Sequence, residues 1–345
     1  MSTPQVISGH ALVGAELTPM MVDIVIDNGI ITAIEENTRV PPVWICPAFY
    51  NAHTHLGDTI AMDYPAPGSL VDLVTPPNGL KHRLLEKTPH SELVAGMRAS
   101  LAGMIAGGTH GCADFREGGA GGVLALREAA RGLPFRPDIF GREGGETECC
   151  GLGISSTRDI HDTEHQVRQA KAHGKKIAIH AGERDAEDID TAIALEPDLL
   201  IHMTHATPSQ LRACADNNIP ITICPRSNWL LSVTSSSHHP PVRKMLDLGC
   251  TVLLGTDNVM FVPPDMQSEM AFLHTCYHID PRQILFAAVQ GSTLTGSSFF
   301  IRKGSRAAFF TIDVSRSALR FSHDPVASII KRGTSGSIGD NLFNS

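Results

Sequence analysis

Short apolar runs alternate with amphipathic stretches through the middle of the chain. A buried parallel strand reads as a short continuous apolar run, whereas a surface helix repeats its apolar positions about every 3.6 residues. About seven or eight such units follow one another, which predicts a parallel sheet closed into a (β/α)8 TIM-like barrel. After a first strand that ends near residue 55, the predicted strands cover 109–115, 135–140, 176–180, 199–202, 220–224 and 251–257. The predicted helices cover 92–106, 122–130, 162–173, 188–195, 209–216, 242–248, 266–278 and 281–290. The fourth strand of the barrel is hard to identify in this pattern.

Both ends of the chain carry a different pattern. Residues 5–12, 21–27 and 29–34 read as hairpin strands, and Asp27-Asn28-Gly29 is a turn signal between two of them. Similar segments occur at 306–312 and 326–331. Neither set can bury a face alone, so we expect them to combine into one small discontinuous β-sandwich. The predicted domains are 1–46 and 299–345 for the sandwich and 47–298 for the barrel.

Composition narrows the class of protein. The 345 residues are 42% hydrophobic and carry a net charge of −8, without a long basic run. This argues against partners such as nucleic acid or an anionic membrane and favours a small-molecule substrate. No apolar run approaches a membrane span, and the first residues resemble no secretion signal, so we expect a cytoplasmic protein. The eight scattered cysteines fit reduced core residues.

The first candidate site is the segment Asn51-Ala52-His53-Thr54-His55. It continues an apolar run at 43–50 that reads as a buried strand. Side chains two residues apart on a strand point the same way, so His53 and His55 project together and could hold a divalent metal. A His-x-His pair alone is weak evidence, because such pairs also occur in cores and on surfaces.

Further polar residues stand where other apolar strands stop. His180, His202 and Asp257 each follow such a run, and in a barrel the carboxyl ends of the strands meet at the rim that carries active sites. Taken alone, His180 fits a core histidine and Asp257 fits a helix N-cap. Together with His53 and His55 they predict a metal site.

These motifs resemble the amidohydrolase superfamily, specifically its cytosine deaminase, guanine deaminase and chlorohydrolase-like branch. The matching segments are PAFYNAHTH at 47–55, HAGE at 180–183, HMTHAT at 202–207, CPRSN at 224–228 and GTD at 255–257. The resemblance implies a barrel flanked by a discontinuous β domain. It also implies one divalent metal ion held by His53, His55, His180 and Asp257. Zinc is expected first, with iron or manganese as alternatives, and the family suggests a homo-oligomer.

The chemistry of these residues agrees with the roles that the family assigns to them. Three neutral imidazoles and one carboxylate leave a 2+ ion with net positive charge, which lowers the pKa of a bound water. Asp257 is suited to accept that water's proton, and Glu183 to protonate a ring nitrogen of the substrate. His202 would orient the water and stabilise the tetrahedral intermediate. A second metal is not expected, because Lys175 and Lys176 stand at the start of their strand.

Other residues are candidates for substrate contacts. His205 follows His202 by three positions, and Arg226 and Asn228 follow a strand end. Asp58 and Asp63 come soon after His55 and could reach the same site. We therefore expect His205, Arg226 and Asn228 at the substrate pocket.

The substrate is left open by two departures from the nucleoside-deaminating relatives. Residues 64–68 and 76–79 replace an aromatic and acidic segment, and serines at 155–156 stand where those relatives present a histidine. The sequence predicts an aminohydrolase that releases ammonia from a purine, pyrimidine or pterin type of heterocycle. The alternatives are hydrolysis of an amide C–N bond, as in imidazolonepropionase-like enzymes, and a non-catalytic barrel that only binds.

Overall fold

The computed structural model describes residues 4–65, 70–76, 78–159, 162–333, 336, 338–339 and 341–343. The expected replacement segment at 64–68 and 76–79 therefore lies partly outside the described residues. The same holds for the outer ends of the two predicted terminal segments.

A nine-stranded parallel sheet forms the centre of the molecule. Its strands in chain order are β5 (Phe49–His55), β6 (Thr109–Arg116), β7 (Arg136–Gly141), β8 (Gly151–Ile154), β9 (Lys176–Ala181), β10 (Leu199–His202), β11 (Ile221–Ile223), β12 (Val252–Leu254) and β13 (Asp257–Asn258). The strands follow one another in space as they do in the chain, except that β13 pairs with β5 at the far edge.

The two edges of this sheet are joined by the short link between β12 and β13. Only Gly255 and Thr256 separate the two strands, and the Thr256 N–H donates to the His53 carbonyl at 3.2 Å. The sheet therefore curls back on itself, and its arrangement fits a TIM-like barrel.

Twelve α-helices are described, most of them between successive strands or just after the sheet closes. They are α1 (Leu70–Val74), α2 (Leu80–Lys87), α3 (His90–Ala106), α4 (Gly119–Ala130), α5 (Thr163–Ala172), α6 (Ile189–Ala194), α7 (Pro208–Asp216), α8 (Pro225–Leu230), α9 (Val242–Asp247), α10 (Met266–Tyr277), α11 (Pro281–Gln290) and α12 (Pro325–Arg332). The apolar faces of the helices from α5 onwards pack mainly with the strands into one large core, whereas α3 and α4 pack in a second cluster that includes Leu56 and Cys112. No described helix has the length and apolar character that crossing a membrane requires.

A second sheet of six strands unites the two ends of the chain. It contains β1 (Gln5–Val13), β2 (Thr18–Asp27), β3 (Ile30–Glu36), β4 (Val43–Pro47), β14 (Ala308–Asp313) and β15 (Asn341–Phe343), in the order β15-β14-β4-β1-β2-β3. The N-terminal and C-terminal segments thus share one sheet, although its arrangement as a β-sandwich is not confirmed.

Two elements of the structure, α12 and one strand of the barrel, were not predicted correctly from the sequence pattern. Residues 326–331 form most of α12 rather than a strand. Asp324 caps this helix by accepting from the Ala327 N–H at 3.1 Å, and Pro325 stands at its first turn. Val326, Ile329 and Ile330 are buried on one face, and a run this short does not distinguish a buried strand from a helix.

The fourth barrel strand is β8, with the sequence Gly151-Leu152-Gly153-Ile154. Its glycines make room for aromatic rings. A Cβ on Gly151 would lie 2.5 Å from the Phe140 ring, and one on Gly153 would lie 2.8 Å from the Phe115 ring. Glycine lowers the strand signal in a sequence, which explains why this strand was hard to identify.

All eight cysteines are free thiols.

Candidate metal centre and active site

Four neighbouring or facing strands bring the predicted ligands together at one rim of the barrel. His53 and His55 come from β5, His180 from β9, His202 from the end of β10 and Asp257 from β13. All five are at most 7% exposed. Their convergence follows from the parallel order of the strands, because the carboxyl ends of parallel strands share one rim.

The distances between these side chains are short. His53 Nε2 lies 3.1 Å from Asp257 Oδ1 and 3.2 Å from His180 Nε2. His55 Nε2 lies 3.7 Å from the same Asp257 oxygen. The ligand atoms of His53, His55 and His180, and likewise those of His53, His202 and Asp257, all lie within 4.8 Å of one another.

The outer ring nitrogens of two histidines are held by other groups. His180 Nδ1 lies 2.7 Å from the Ile154 carbonyl oxygen, and only an N–H can make that bond. His55 Nδ1 lies 3.2 Å from Glu117 Oε1. With the proton assigned to Nδ1 in both rings, each Nε2 presents its lone pair to the centre of the cluster.

Burial keeps these imidazoles neutral. Loss of solvation lowers the pKa of His55 and of His180 well below the usual range, and it lowers the pKa of His53 to about 4. Neutral imidazoles are the form that binds metals. The Nε2 lone pairs of His55 and His180 lie beside His53 and the Asp257 carboxylate, and this donor set fits a divalent cation.

Asp257 is ionised in this setting. Burial alone would raise its pKa, but the hydrogen bond with His53 and the nearby histidines outweigh burial and hold the pKa well below the usual range. Ser227 Oγ donates to the second carboxylate oxygen at 2.5 Å. Asp257 has φ of 67° and His202 has φ of 73°. These left-handed conformations are strained for residues other than glycine and are common at functional sites.

Glu183 follows β9 and faces His202. Its Oε1 lies 3.7 Å from His202 Nε2, and its side chain is 21% exposed. Burial raises the pKa of Glu183 above the usual range. A carboxyl group with a raised pKa beside a metal site is suited to donate a proton.

A cluster of buried charges lies behind His55. Glu117 accepts from Lys81 Nζ at 2.8 Å, from Arg116 Nη2 at 2.8 Å and from Arg142 Nη1 at 2.9 Å. Lys81 also lies 3.1 Å from Asp58, and Arg116 lies 3.2 Å from Asp114. Three cations and three carboxylates therefore compensate one another next to a candidate ligand.

Most of this cluster was not predicted from the sequence. Asp58 was expected near the site and does belong to the cluster. Asp63, the other candidate, is exposed, and its backbone N–H donates to the Met260 carbonyl. Glu117 and Lys81 were not singled out. The available signal was that charged residues at 114–117 directly extend a buried strand, where unpaired charge is costly.

The three expected substrate contacts do not line the cleft above the metal site. Arg226 donates to Glu269 at 2.6 Å and to the Pro263 and Asp265 carbonyls, which uses its guanidinium. Asn228 is fully buried and donates to Thr204. The His205 ring lies 5.5 Å from the His239 ring. Arg226 and Asn228 follow a strand end as predicted, but their side chains bind other parts of the protein, and half-buried His205 lies beside His239.

The lysines at the start of β9 also lie away from the metal site. Lys176 pairs with Asp198 at 2.7 Å, and Lys175 donates to the Cys149 carbonyl at 2.7 Å. Both lysines therefore bind groups other than the histidines.

A narrow cleft leads to the histidines. It is lined by His55, Val74, Thr75, Pro76, Lys81, Arg142, Ser155, Ser156, Asp159, His180, Ala181, Glu183, Arg184, Asp188, His202, Leu231, Asp257 and Asn258. The enclosed volume of about 70 Å³ is below the roughly 300–1,000 Å³ of small-molecule sites. The space next to the histidines is therefore small in this structure.

Comparison with known proteins supports this picture. A profile described as the amidohydrolase family matches residues 44–149, and a profile described as adenosine deaminase matches residues 147–309. A Methanothermobacter thermautotrophicus protein named as a presumed aminohydrolase is 33% identical over 96% of this chain and 95% of its own. The 5'-deoxyadenosine deaminase of Methanococcoides burtonii is 26% identical over 93% of this chain and 86% of its own.

A similar solved structure is an adenosine deaminase from Xanthomonas campestris with bound zinc. It has a TM-score of 0.80 and 16% identity, over 98% of this chain and 91% of its own. At that identity the similarity shows a shared fold. The 33% identity of the archaeal relative, over nearly the whole of both chains, shows a shared family.

Proposed function

The chain belongs to the amidohydrolase superfamily and is a metal-dependent hydrolase of C–N bonds, and from this we propose that it releases ammonia from an amino-substituted nitrogen heterocycle. The observation that carries the proposal is the convergence of His53, His55, His180 and Asp257 beside Glu183 and His202. A binding protein would not require a metal cluster together with a proton donor of raised pKa.

One divalent metal ion held by His53, His55, His180 and Asp257 is part of this proposal, with zinc as the first candidate. Support comes from His55 Nε2, which lies 3.7 Å from Asp257, and from His180 Nε2, which lies 3.2 Å from His53 Nε2. Zinc in the similar deaminase structure supports the same proposal. When bound, such an ion supplies Lewis-acid activation of water near neutral pH.

The protein's own groups would then carry the proton transfers. Asp257 would accept a proton from the attacking water, because its carboxylate is ionised and buried. Glu183 would donate a proton to a ring nitrogen, which makes the adjacent carbon electrophilic. His202, 3.7 Å from Glu183, would orient the water and stabilise charge on the tetrahedral carbon's substituents. Asp257 would pass the water's proton to the amino group, which would leave as ammonia, and the new hydroxyl group would return a proton to Glu183 as it becomes a carbonyl.

Among heterocycles, a purine is the first candidate. The adenosine deaminase profile covers residues 147–309, which include His180, Glu183, His202 and Asp257. A relative that matches 93% of the chain is named for the deamination of 5'-deoxyadenosine. Pyrimidines and pterins belong in the same test, because the amino group and ring nitrogen they present are chemically equivalent.

The test is ammonia release from amino-substituted purines, pyrimidines, pterins and nucleosides by protein loaded with zinc, iron or manganese. Asp257→Asn is expected to lower kcat/KM by at least about 100-fold, since a general base contributes that much, while thermal unfolding changes little. Asp63→Asn, an exposed aspartate on the same segment as His55, is the matched control and should retain activity.

Two results would count against deamination. Full activity of Asp257→Asn would show that Asp257 is not the proton acceptor. If no compound releases ammonia although one equivalent of metal is bound, hydrolysis of an amide C–N bond becomes the better proposal, because the same metal site could support it.

A further inference from the structure

Arg142 occupies a position in the cleft that the reaction does not use. It follows β7, and its backbone N–H donates to the Arg116 carbonyl at 3.1 Å. The residue is 9% exposed and lines the cleft together with His180. Its guanidinium lies 5.7 Å from the centre of the Phe115 ring, a contact that helps to fix the plane of the group.

One edge of this guanidinium has no partner among the described residues. Nη1 donates to Glu117 at 2.9 Å, but Nε is buried without a hydrogen bond. Nη2 lies 3.5 Å from His180 Nδ1. That nitrogen already gives its proton to the Ile154 carbonyl at 2.7 Å, so it has no lone pair to accept from Arg142. Nε and Nη2 share one edge of the group, and both of their N–H donors are available.

A second unpaired donor lines the same cleft. Ser155 Oγ is buried without a hydrogen bond in the described structure. A buried donor without an acceptor is costly, and two of them in one cleft indicate that an acceptor binds there.

Four acidic side chains line the cleft, and each faces a group other than Arg142; Glu183 faces His202 at 3.7 Å. Asp188 accepts from the Gly182 N–H at 2.8 Å and from Ser156 Oγ at 2.9 Å. Asp159 pairs with Arg184, and Asp257 belongs to the metal site. None of them contacts the open edge of Arg142, so an incoming anion would not displace an internal carboxylate.

We infer that the substrate carries an anionic group, a carboxylate or a phosphate, which Arg142 binds through its Nε–Nη2 edge with Ser155 as a further donor. This inference rests on the proposed deamination and names the class of heterocycle. The planar edge of arginine matches two oxygens of either group in a bidentate pair. His180 Nδ1 faces Arg142, whereas His180 Nε2 faces the metal ligands. The anionic group would therefore bind on the side of His180 away from the metal ligands, at a distance from the reacting ring atom.

The experiment compares substrates that differ only in the anionic group. The pairs are adenosine with adenosine 5'-monophosphate, and a pterin with its 6-carboxylate. The anionic member of at least one pair should have a kcat/KM at least tenfold higher, and the responding pair distinguishes phosphate from carboxylate. Arg142→Lys keeps the positive charge but loses the planar pair of N–H donors. It should lower kcat/KM for the preferred anionic compound by about 10- to 100-fold, with little change for the neutral compound of the same pair. Arg168→Lys, whose exposed arginine pairs with Glu164 on α5 away from the cleft, is the control.

Equal kcat/KM for both members of each pair, or an equal loss for both in Arg142→Lys, would overturn the inference and leave deamination standing. No ammonia from any compound would instead count against the proposed function. Calorimetric titration of the same four compounds then decides the inference separately, since tighter binding of the anionic members that is lost in Arg142→Lys supports it and equal binding overturns it. If Arg142→Lys does not fold, Ser155→Ala should lower the same preference severalfold, and an unchanged preference there contradicts the assignment.

Discussion

Glu117 links the metal site to the buried charges behind it. One of its oxygens lies 3.2 Å from His55 Nδ1 and accepts from Lys81 and Arg142, and the other accepts from Arg116. The attraction of these cations and the His55 contact outweigh burial and hold the pKa of Glu117 well below its usual range. An ionised carboxylate at that position orients the histidine and makes it a better ligand.

Glu117→Gln should therefore weaken metal binding and stability together. We expect metal affinity to fall by about 10- to 100-fold, as when a carboxylate partner of a histidine ligand is removed. The free energy of unfolding should fall by about 3 kcal/mol, because a buried cation loses its counter-charge. Chelator competition and urea unfolding of the metal-free protein measure the two effects. Glu143→Gln is the control, since exposed Glu143 only accepts from the Gly118 N–H; unchanged metal affinity in Glu117→Gln would contradict the orienting role.

Asp23 makes the terminal sheet sensitive to acid. Hydrogen bonds from Ser8 Oγ at 2.5 Å and Asn37 Nδ2 at 3.0 Å lower the pKa of Asp23 below its ordinary value of 3.8. A carboxyl group whose pKa is lower in the folded state contributes stability above the unfolded-state pKa and loses it as the pH falls through the folded-state pKa.

Asp23→Asn should therefore be less stable than the wild type above about pH 4, and the difference should shrink as the pH falls further. Urea unfolding of both proteins across this range measures it. Ser8→Ala removes the hydrogen bond that lowers the pKa of Asp23 most and should show part of the same pH dependence. A wild-type advantage that grows towards acid pH would show that the bonds do not stabilise the charged form.

At the scale of elements, the link between β12 and β13 decides whether Asp257 reaches the histidines. Gly255 lies so close to β5 that an added Cβ would be 2.8 Å from both the backbone nitrogen and the Cβ of His53. Those atoms belong to a fully buried strand and cannot move aside without moving a candidate ligand.

Gly255→Ala should lower both the free energy of unfolding and the metal occupancy, because overpacking of this kind costs about 1–3 kcal/mol. Gly103→Ala is the matched substitution. An added Cβ there has no heavy atom within 4 Å outside its own helix, and alanine inside a helix should raise stability by about 0.5–1 kcal/mol. Thermal unfolding and metal analysis test both. Normal metal occupancy in Gly255→Ala would show that the link yields without moving His53.

The positions of the polar residues at the strand ends could be predicted from the sequence. His53, His180 and Asp257 each interrupt an apolar run with a polar residue, and the parallel order of the strands brings such interruptions to one rim. The pattern failed where packing alone determines the element. Gly151 is small because Phe140 occupies the space above it, and no local signal reveals that neighbour.

The partners inside the site were the least predictable part. Glu117 meets Lys81 from 36 positions away and Arg142 from 25, and Arg226 meets Glu269 from 43 positions away. Sequence order placed Arg226 at a strand end but could not show that a buried carboxylate would bind it. Side-chain direction after a strand depends on such long-range pairs, so the three expected substrate contacts were assigned without the information that decides them.

At the scale of the whole molecule, the terminal sheet and the barrel share one stretch of chain. Only Ala48 separates β4 of the six-stranded sheet from β5, which carries His53 and His55. Phe310 of β14 packs its ring 5.0 Å from the ring of Phe49, and both are fully buried in the large core. The preceding residue of β14, Phe309, points to the opposite face and joins a separate cluster with Ile24 and Ile45.

This arrangement predicts that the two sheets unfold as one cooperative unit. Phe310→Ala should lower the free energy of unfolding by about 3–5 kcal/mol, as a buried phenylalanine deletion does, with metal release and loss of secondary structure at the same urea concentration. Phe309→Ala removes the same volume from the outer cluster, where only the terminal sheet depends on it. It should lower that single transition as well, because β4 cannot leave its sheet without pulling on β5. An early transition in Phe309→Ala that leaves the metal bound would show that the barrel keeps its site without the terminal sheet, and that the discontinuous sheet stabilises only itself.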